Sequence, residues 1–357
     1  MATSEKLNLE KLFDVVLDRG ASDLHLTVGR APTIRVDRKL IPIPGQPILT
    51  ADSAKSLIYA LLSEKQRQIF EAQWELDLSY AYGDKSRFRI NVFHQKGVVG
   101  AALRLIPRKI RTVEELGLPP ILKNFTKDSQ GLVLMVGPTG HGKSTTLAAM
   151  IDLINHERAE HIITIEDPIE YLFTGDKSII DQREINQDTM SFARALRSAL
   201  REDPNVVMVG EMRDLDTIAT TITVAETGHL VFATLHTNNA AQTVDRIIDA
   251  FPSHQQNQIK TQLASILTAV VSQRLIPKIG GGRVVAAEIM VATPAVRNLI
   301  RENKAYQIDS VIQTSAQEGM ISLDNSLASL VRAQQITMED ALMFSSDPKN
   351  LSALLRS

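Results

Sequence analysis

Residues 132–146 read LVLMVGPTGHGKSTT, an apolar run that leads directly into a glycine-rich segment. The run from Leu132 to Val136 has the composition of a buried strand, and Leu147 to Leu153 predicts a helix after the segment. The segment between them satisfies the pattern G-x-x-x-x-G-K-[ST], which holds phosphate when a strand precedes it and a helix follows. The sequence therefore predicts a nucleotide-binding domain built around this loop.

Each residue type in the loop suits phosphate binding. The glycines let backbone N–H groups turn inward around the phosphates, and the next helix adds the positive end of its dipole. We expect Lys143 to reach the β- and γ-phosphates of ATP and the Ser144 hydroxyl to bind Mg²⁺. His141 occupies a free position of the pattern and is given no separate role. The predicted binding residues are Gly137, Pro138, Thr139, Gly140, His141, Gly142, Lys143, Ser144 and Thr145.

Two further apolar runs end in acidic residues. Ile162–Ile165 leads into Glu166, and Val206–Val209 leads through Gly210 into Glu211. Acids at the carboxyl ends of parallel strands face the crevice where ligands bind, so Glu211 is predicted to lie near Mg²⁺ or its water. Solvated acids that close a strand are the alternative for each cluster taken alone.

Two histidines flank a fourth apolar run, Leu230–Ala233. His229 and His236 are seven residues apart, a spacing that places them on opposite faces of a strand and argues against a shared metal. His236, together with Thr237, could sense the γ-phosphate or hold a catalytic glutamate by a hydrogen bond. A packing or capping histidine is the alternative for each.

The composition excludes several classes of function. The 357 residues include no cysteine, which excludes disulfides, thiolate zinc sites and cysteine nucleophiles. The formal charge is −2, so general attraction to nucleic acid has no support. No apolar run approaches the ~20 residues that span a bilayer. We therefore expect a cytosolic protein that reaches a membrane only through a protein partner.

Two domains are predicted, at residues 1–112 and 113–357. The first mixes helices and strands in a small α+β domain that ends in a proline-rich basic linker, for which a surface loop is the alternative. Its predicted helices are Leu9–Leu17 and Ala54–Ala72, and its predicted strands are Leu24–Leu26, Thr33–Val36, Leu76–Tyr80, Phe88–Phe93 and Val98–Leu105. The second has the form of a buried parallel sheet with helical crossovers, and it is predicted to be mainly helical from Thr261 onward.

Four segments in order resemble the signature boxes of the secretion ATPase superfamily. They are the phosphate loop, Thr164–Glu170, Gly210–Asp214 and Ala225–His229. Gly20–His25 and Arg87–Asn91 also resemble its PAS-like N-terminal domain, so the resemblance covers nearly the whole chain. It implies an α/β chain with a PAS-like α+β domain followed by a RecA-like P-loop ATPase domain with a helical C-terminal part.

Within that superfamily the chain resembles the type IV pilus retraction ATPases. We expect it to lack the long extra N-terminal region of assembly relatives, and the absence of cysteine excludes their four-cysteine zinc element. Ala295–Glu302, AVRNLIRE, departs from the retraction motif of the family only at Val296. Helical spacing places Val296, Leu299 and Ile300 inward, and it places Arg297 and Arg301 on the outer side. A plain amphipathic helix has the same spacing.

The resemblance also implies a mechanism. ATP would lie between the two domains of a homohexamer, with Glu166 polarising the water and Glu211 organising Mg²⁺ or water, two roles that could be exchanged. Arg89 and Arg104 would reach the γ-phosphate. The partners would be an inner-membrane pilus platform protein and other pilus motor subunits, with the chain cytoplasmic and peripheral at that membrane. An accessory retraction ATPase, an assembly ATPase, a nucleotide-gated binding module and a DNA translocase are the alternatives, the last disfavoured by the charge.

Overall fold

A computed structural model describes residues 8–36, 39–83, 85–106 and 109–356. Contacts between residues divide the chain into two units. The first comprises the described residues up to Lys109 together with Glu170–Leu172, and the second comprises Ile110–Ile169 and Phe173 onward. The boundary predicted from the sequence lies after residue 112. In the described residues, no helix is both long enough and apolar enough to cross a membrane.

The first unit is an antiparallel sheet with helices packed against it. Its elements are α1 (Leu9–Asp18), β1 (Asp23–Leu26), β2 (Thr33–Val36), β3 (Lys39–Pro42), α2 (Ala51–Tyr59), α3 (Glu64–Gln73), β4 (Glu75–Tyr82), β5 (Ser86–Gln95) and β6 (Val98–Ile106). The strand order is β3-β2-β1-β6-β5-β4. Phe13 of α1 stacks on Phe88 of β5 with ring centroids 4.4 Å apart, and both side chains are buried. The amphipathic pattern of α1 thus supplies part of this core.

The predicted helix over Ala54–Ala72 was wrong as a single element, because the chain forms α2 and α3 there. The two helices are separate because Ser63 is the N-cap of α3. Its hydroxyl accepts from the Gln66 N–H, and the Gln66 side chain accepts from the Ser63 N–H at 2.9 Å. This reciprocal capping box satisfies backbone donors that a continuous helix would bond internally.

The second unit contains a seven-stranded sheet covered by helices. Its first elements are α4 (Leu122–Phe125), β7 (Gly131–Val136), α5 (Lys143–Glu157), β8 (His161–Glu166), β9 (Ile179–Glu184), α6 (Phe192–Ala199), β10 (Val206–Val209), α7 (Leu215–Glu226), β11 (Leu230–Leu235), α8 (Ala240–Asp249) and α9 (Ser253–Ile266). Then follow β12 (Leu267–Pro277), β13 (Arg283–Val291), α10 (Pro294–Arg301), α11 (Ile308–Thr314), α12 (Leu323–Arg332), α13 (Met338–Phe344) and α14 (Pro348–Arg356).

The strand order β13-β12-β7-β11-β10-β8-β9 brings the predicted site together. All neighbours are parallel except β12 and β13. Every residue of β7, β10 and β11 is buried, as expected for central parallel strands covered on both faces. The phosphate loop, Glu211 and His236 follow β7, β10 and β11, so they share the carboxyl edge of the sheet.

The prediction that the chain is mainly helical from Thr261 was wrong over the next segment. β12 and β13 form a long hairpin there, and helices resume only at α10. β12 extends the sheet by pairing in parallel with β7, with Val270 opposite Leu134. By periodicity alone, the apolar run of β12 fits a buried helix segment as well as a strand. It forms a strand here because it pairs with the edge of β7 that lies opposite β11.

Candidate functional site

The phosphate loop connects β7 to α5 in a conformation that requires glycine. Gly137, Gly140 and Gly142 have φ angles of 135°, 79° and 86°. A Cβ on Gly137 would lie 2.5 Å from the Gln273 carbonyl oxygen, so the loop also needs glycine for its close approach to β12. Gly142 is the N-cap of α5 and provides no side-chain acceptor for the first N–H groups of the helix. These donors and the helix dipole suit an anion.

Lys143 lies over the loop in the position expected of a phosphate ligand. Its side chain is buried, and Nζ donates to the carbonyl oxygens of Gly137 at 2.8 Å and Pro138 at 3.1 Å. A buried ammonium is stable only with such acceptors, and phosphate oxygens can replace them. The loop therefore fits the phosphates of ATP.

Glu211, Arg213 and His236 form a polar cluster beside the loop. One carboxylate oxygen of Glu211 lies 2.7 Å from Arg213 Nε and 3.0 Å from His236 Nε2. Burial raises the pKa of Glu211, but Arg213 and His236 outweigh this effect and leave the pKa below its ordinary value. Glu211 is therefore ionised at neutral pH, as a metal or water ligand must be.

His236 connects this acid to the phosphate loop. Its Nδ1 lies 3.5 Å from Lys143 Nζ and 3.4 Å from Thr139 Oγ1, while Nε2 faces Glu211. A proton on Nε2 lets the ring donate to Glu211 and accept from the loop at the same time. The hypothesis that His236 holds a glutamate agrees with this geometry.

Glu166 occupies the buried end of β8. Its Oε1 accepts from Thr164 Oγ1 at 2.8 Å and from Gln182 Nε2 of β9 at 3.1 Å. The next strand comes close here, because a Cβ on Gly210 would lie 3.3 Å from the Glu166 Cα and 3.1 Å from the Ile165 carbonyl oxygen. This contact explains why glycine precedes Glu211.

The hairpin residues behind the loop were missed by the sequence analysis. Gln273 of β12 is buried, donates to the His141 carbonyl oxygen at 2.8 Å and accepts from Thr146 Oγ1 at 2.8 Å. The Leu275 N–H donates to His141 Nδ1 at 2.9 Å. Burial and the nearby cations Arg274, Lys143 and Arg283 lower the pKa of His141, which favours the neutral ring that accepts this bond. The polar triplet Ser272–Arg274, inside an apolar strand, is the signal that could have indicated these contacts.

Arg89 and Arg104 lie directly opposite each other on β5 and β6 in the first unit. Arg104 Nε lies 3.0 Å from Asp23 on β1, and Arg35 Nε lies 3.4 Å from the same carboxylate. Burial raises the pKa of Asp23. The hydrogen bond from the Ser22 hydroxyl and the two arginines together lower it by more, so the pKa lies below its ordinary value. Asp23 was not among the predicted residues, although it holds one of the two arginines.

The outer-side prediction for the α10 arginines was wrong for Arg297. Its side chain is half-buried and turns back onto the end of α9, where it donates to the carbonyl oxygens of Ala264 and Ser265. It also donates to the Ala292 carbonyl oxygen at 2.9 Å. Arg301 is exposed as predicted, and Val296 and Ile300 are buried. The last carbonyl oxygens of a helix lack intrahelical partners and carry partial negative charge, so they favour a guanidinium as donor.

Comparison with known proteins places the chain in a family. Residues 2–342 match the model of the type II/IV secretion system proteins. The chain belongs to this family. It is 48% identical over 344 residues to the type IV pilus retraction ATPase PilT of Pseudomonas aeruginosa, covering 96% of this chain and 100% of that protein. It is 47% identical to a twitching motility protein of Neisseria gonorrhoeae, covering 90% and 86% of the two chains.

A solved relative agrees over the same length. The crystal structure of the pilus retraction motor PilT with bound ADP matches at a TM-score of 0.91 and 48% identity, covering 97% of this chain and 99% of that one. As a member of the secretion ATPase family, the chain is an ATPase that binds nucleotide. The predicted family, fold class and enzyme class are confirmed, whereas Mg²⁺ and the individual site residues stay predictions.

Proposed function

We propose that this chain is the motor that hydrolyses ATP to retract type IV pili. The observation that carries the ATPase chemistry is the contact of His236 with both Glu211 and Lys143. The likeness to PilT over nearly the full length of both chains supports retraction as the work done. The agreement of Ala295–Glu302 with the retraction motif supports the same conclusion.

In the proposed mechanism, the chain's own residues hold ATP and orient water. Lys143 exchanges the carbonyls of Gly137 and Pro138 for phosphate oxygens. Ser144 and Glu211 are proposed to hold Mg²⁺, which when bound neutralises charge on the β- and γ-phosphates. Glu166 polarises the attacking water, and its bonds from Thr164 and Gln182 fix the direction of the carboxylate.

The proposed assembly is a homohexamer. Arg89 and Arg104 of a neighbouring copy would stabilise charge on the γ-phosphate as it is cleaved, an effect worth ~10³–10⁵ in rate. Hydrolysis would then depend on the arrangement of neighbouring copies, so that each turnover changes which arrangement is favoured. The load would be a pilus platform protein of the inner membrane, with other pilus motor subunits as further partners. The chain would be cytoplasmic and peripheral at that membrane.

The test uses one variant, a matched control and a deletion strain. Lys143→Ala should abolish ATP turnover and twitching motility, because it removes the ammonium group proposed to bind the β- and γ-phosphates. Lys127→Ala removes an exposed lysine before β7 and should change neither. Deletion of the chain should leave excess surface pili without motility. Undiminished ATPase activity in Lys143→Ala would falsify the loop assignment, and a bald deletion strain would indicate an assembly motor instead.

A further inference from the structure

β12 contacts two parts of the site through alternate residues. Gln273 and the Leu275 N–H bind the phosphate loop at His141. Ser272 and Arg274 instead bind the segment between β11 and α8, residues 236–239, which we term the histidine loop. Side chains alternate along a strand, so one strand can reach two neighbouring loops.

The histidine loop is held at two neighbouring positions where it leads into α8. The Asn238 carbonyl oxygen accepts from Ser272 Oγ at 2.7 Å and from Arg274 Nη2 at 3.0 Å, and the Asn238 side-chain oxygen lies 3.3 Å from the same Nη2. Where the loop enters α8, the Ala240 N–H donates to Glu288 Oε1 of β13 at 2.8 Å. His236 is therefore attached to a segment whose position depends on the β12–β13 hairpin.

Glu288 is an unusual anchor because it is a carboxylic acid buried behind the loop. Burial raises its pKa to about 7, and the bond from Ala240 partly opposes this rise. The charged groups that act on it are Arg274 on β12, which favours the ionised form, and Asp309 on α11 and Asp324 on α12, which oppose it. The ionised carboxylate binds the first N–H groups of α8 more strongly than the neutral acid does.

We propose that Arg274 and Glu288 are positioning residues for ATP hydrolysis, which fix the histidine loop and keep His236 between Glu211 and Lys143. This inference rests on the hydrolytic role of His236 proposed above. It assigns a function to two residues of the β12–β13 hairpin, outside the phosphate loop and the histidine loop. The proposal also predicts that the rate of ATP hydrolysis rises with pH. Glu288 ionises near neutral pH, and its carboxylate then binds the N-terminus of α8 more strongly.

The first experiment compares Glu288→Gln with the unchanged chain in steady-state ATP hydrolysis between pH 5.5 and 9. Glutamine keeps the acceptor for Ala240 but cannot ionise. At pH 8.5 we expect kcat to fall roughly tenfold, a modest loss for a displaced catalytic group, with KM for ATP and the affinity for ADP unchanged. The step in kcat near pH 7 should disappear. Asp245→Asn is the control, because Asp245 lies on the exposed side of α8 and its pKa is also raised, by partial desolvation and by Asp249.

A second variant tests the other anchor without removing its charge. Arg274→Lys keeps the positive charge, but a lysine ammonium cannot reproduce the two bonds of the guanidinium to the carbonyl oxygens of Asn238 and Gln273. We therefore expect kcat to fall while the affinity for ADP is unchanged. The inference is overturned if Glu288→Gln keeps both the kcat and the pH step of the unchanged chain. It is also overturned if kcat and ADP affinity fall together at every pH, since that indicates a merely structural role. Absence of hydrolysis in the unchanged chain would overturn the proposed function as well, whereas the first result would leave it standing.

Discussion

At the scale of single residues, the site depends on His236 more than its position in the sequence suggests. The ring spans from the Glu211 carboxylate to Lys143, so its removal would take one contact from each of these groups. Through the same contacts, the arrangement of Glu211 would depend on whether phosphate occupies the phosphate loop. The bonds between the ring and the loop are weak, because Nδ1 lies 3.4 Å from Thr139 Oγ1 and 3.5 Å from Lys143 Nζ.

His236→Ala should therefore lower kcat by about 10²-fold while KM for ATP changes little, the signature of an interaction that matters in the transition state. Steady-state ATPase assays measure both. His156→Ala is a suitable comparison and should retain full activity, since His156 lies at the end of α5 far from the phosphate loop and contacts Asp152 and Asp176. A kcat within twofold of the unchanged chain would remove His236 from the mechanism.

Glu288 also has a consequence for stability. Its folded-state pKa of about 7 lies above the ordinary value of 4.5, so the folded chain binds more protons than the unfolded chain between these values. Stability contributed at this site is present below pH 4.5 and is lost as the pH rises toward 7.

Glu288→Gln should thus be more stable than the unchanged chain at pH 8, by on the order of 1–3 kcal/mol, with little difference at pH 5. Chemical denaturation at the two pH values measures this. Greater stability together with a lower kcat would be an unusual combination, because most substitutions of a buried group weaken the fold. Equal or lower stability at pH 8 would show that the buried carboxylate is compensated in the folded state.

At the scale of elements, one strand organises the site. β12 pairs with β7 directly below the phosphate loop and turns into β13, which carries Glu288. Its buried Gln273 satisfies a loop carbonyl and the Thr146 hydroxyl, groups that would be costly to bury unpaired. The loop is therefore preorganised by a neighbour in the sheet as well as by its own glycines.

α10 shows the same dependence between elements. Because Arg297 binds carbonyls at the end of α9, Arg297→Ala should lower the free energy of unfolding by about 1–2 kcal/mol through the loss of several charged hydrogen bonds. Arg301→Ala, on the exposed side of the same helix, should leave stability unchanged and affect only motility. Denaturation curves and twitching assays separate the two. Equal stability for both variants would mean that the Arg297 contacts contribute nothing measurable.

At the scale of the whole molecule, the proposed hexamer predicts shared sites. Arg89→Ala and Lys143→Ala subunits should each be inactive alone, and mixing them should restore part of the activity, because one subunit contributes the arginine and its neighbour the phosphate loop. ATPase activity is measured across mixing ratios. Failure to recover activity at any ratio would count against arginines that act between copies. Lys127→Ala mixed with Lys143→Ala is the control for simple dilution.

Much of the site could be predicted from the sequence, because its parts are contiguous. The phosphate loop, Glu166 and Glu211 each follow an apolar run within two residues, and parallel strands must bring their carboxyl ends to one edge. The partners of those residues could not be predicted in the same way. Thr146 and its acceptor Gln273 are 127 residues apart, and no periodicity states which strand pairs with β7.

The amino-acid sequence by itself determined the nucleotide loop, the acids and the histidine that follow the strands, and the resemblance to the secretion ATPases, since these depend on short stretches with a required order. Only the tertiary structure decided that a β-hairpin follows α9, that Gln273, Arg274 and Glu288 hold the two loops, and that Arg297 turns inward. The physical reason is that strand pairing, burial and helix-end hydrogen bonds form between segments that are distant in the sequence. Which of these contacts lowers the free energy depends on which groups the rest of the fold leaves without a partner.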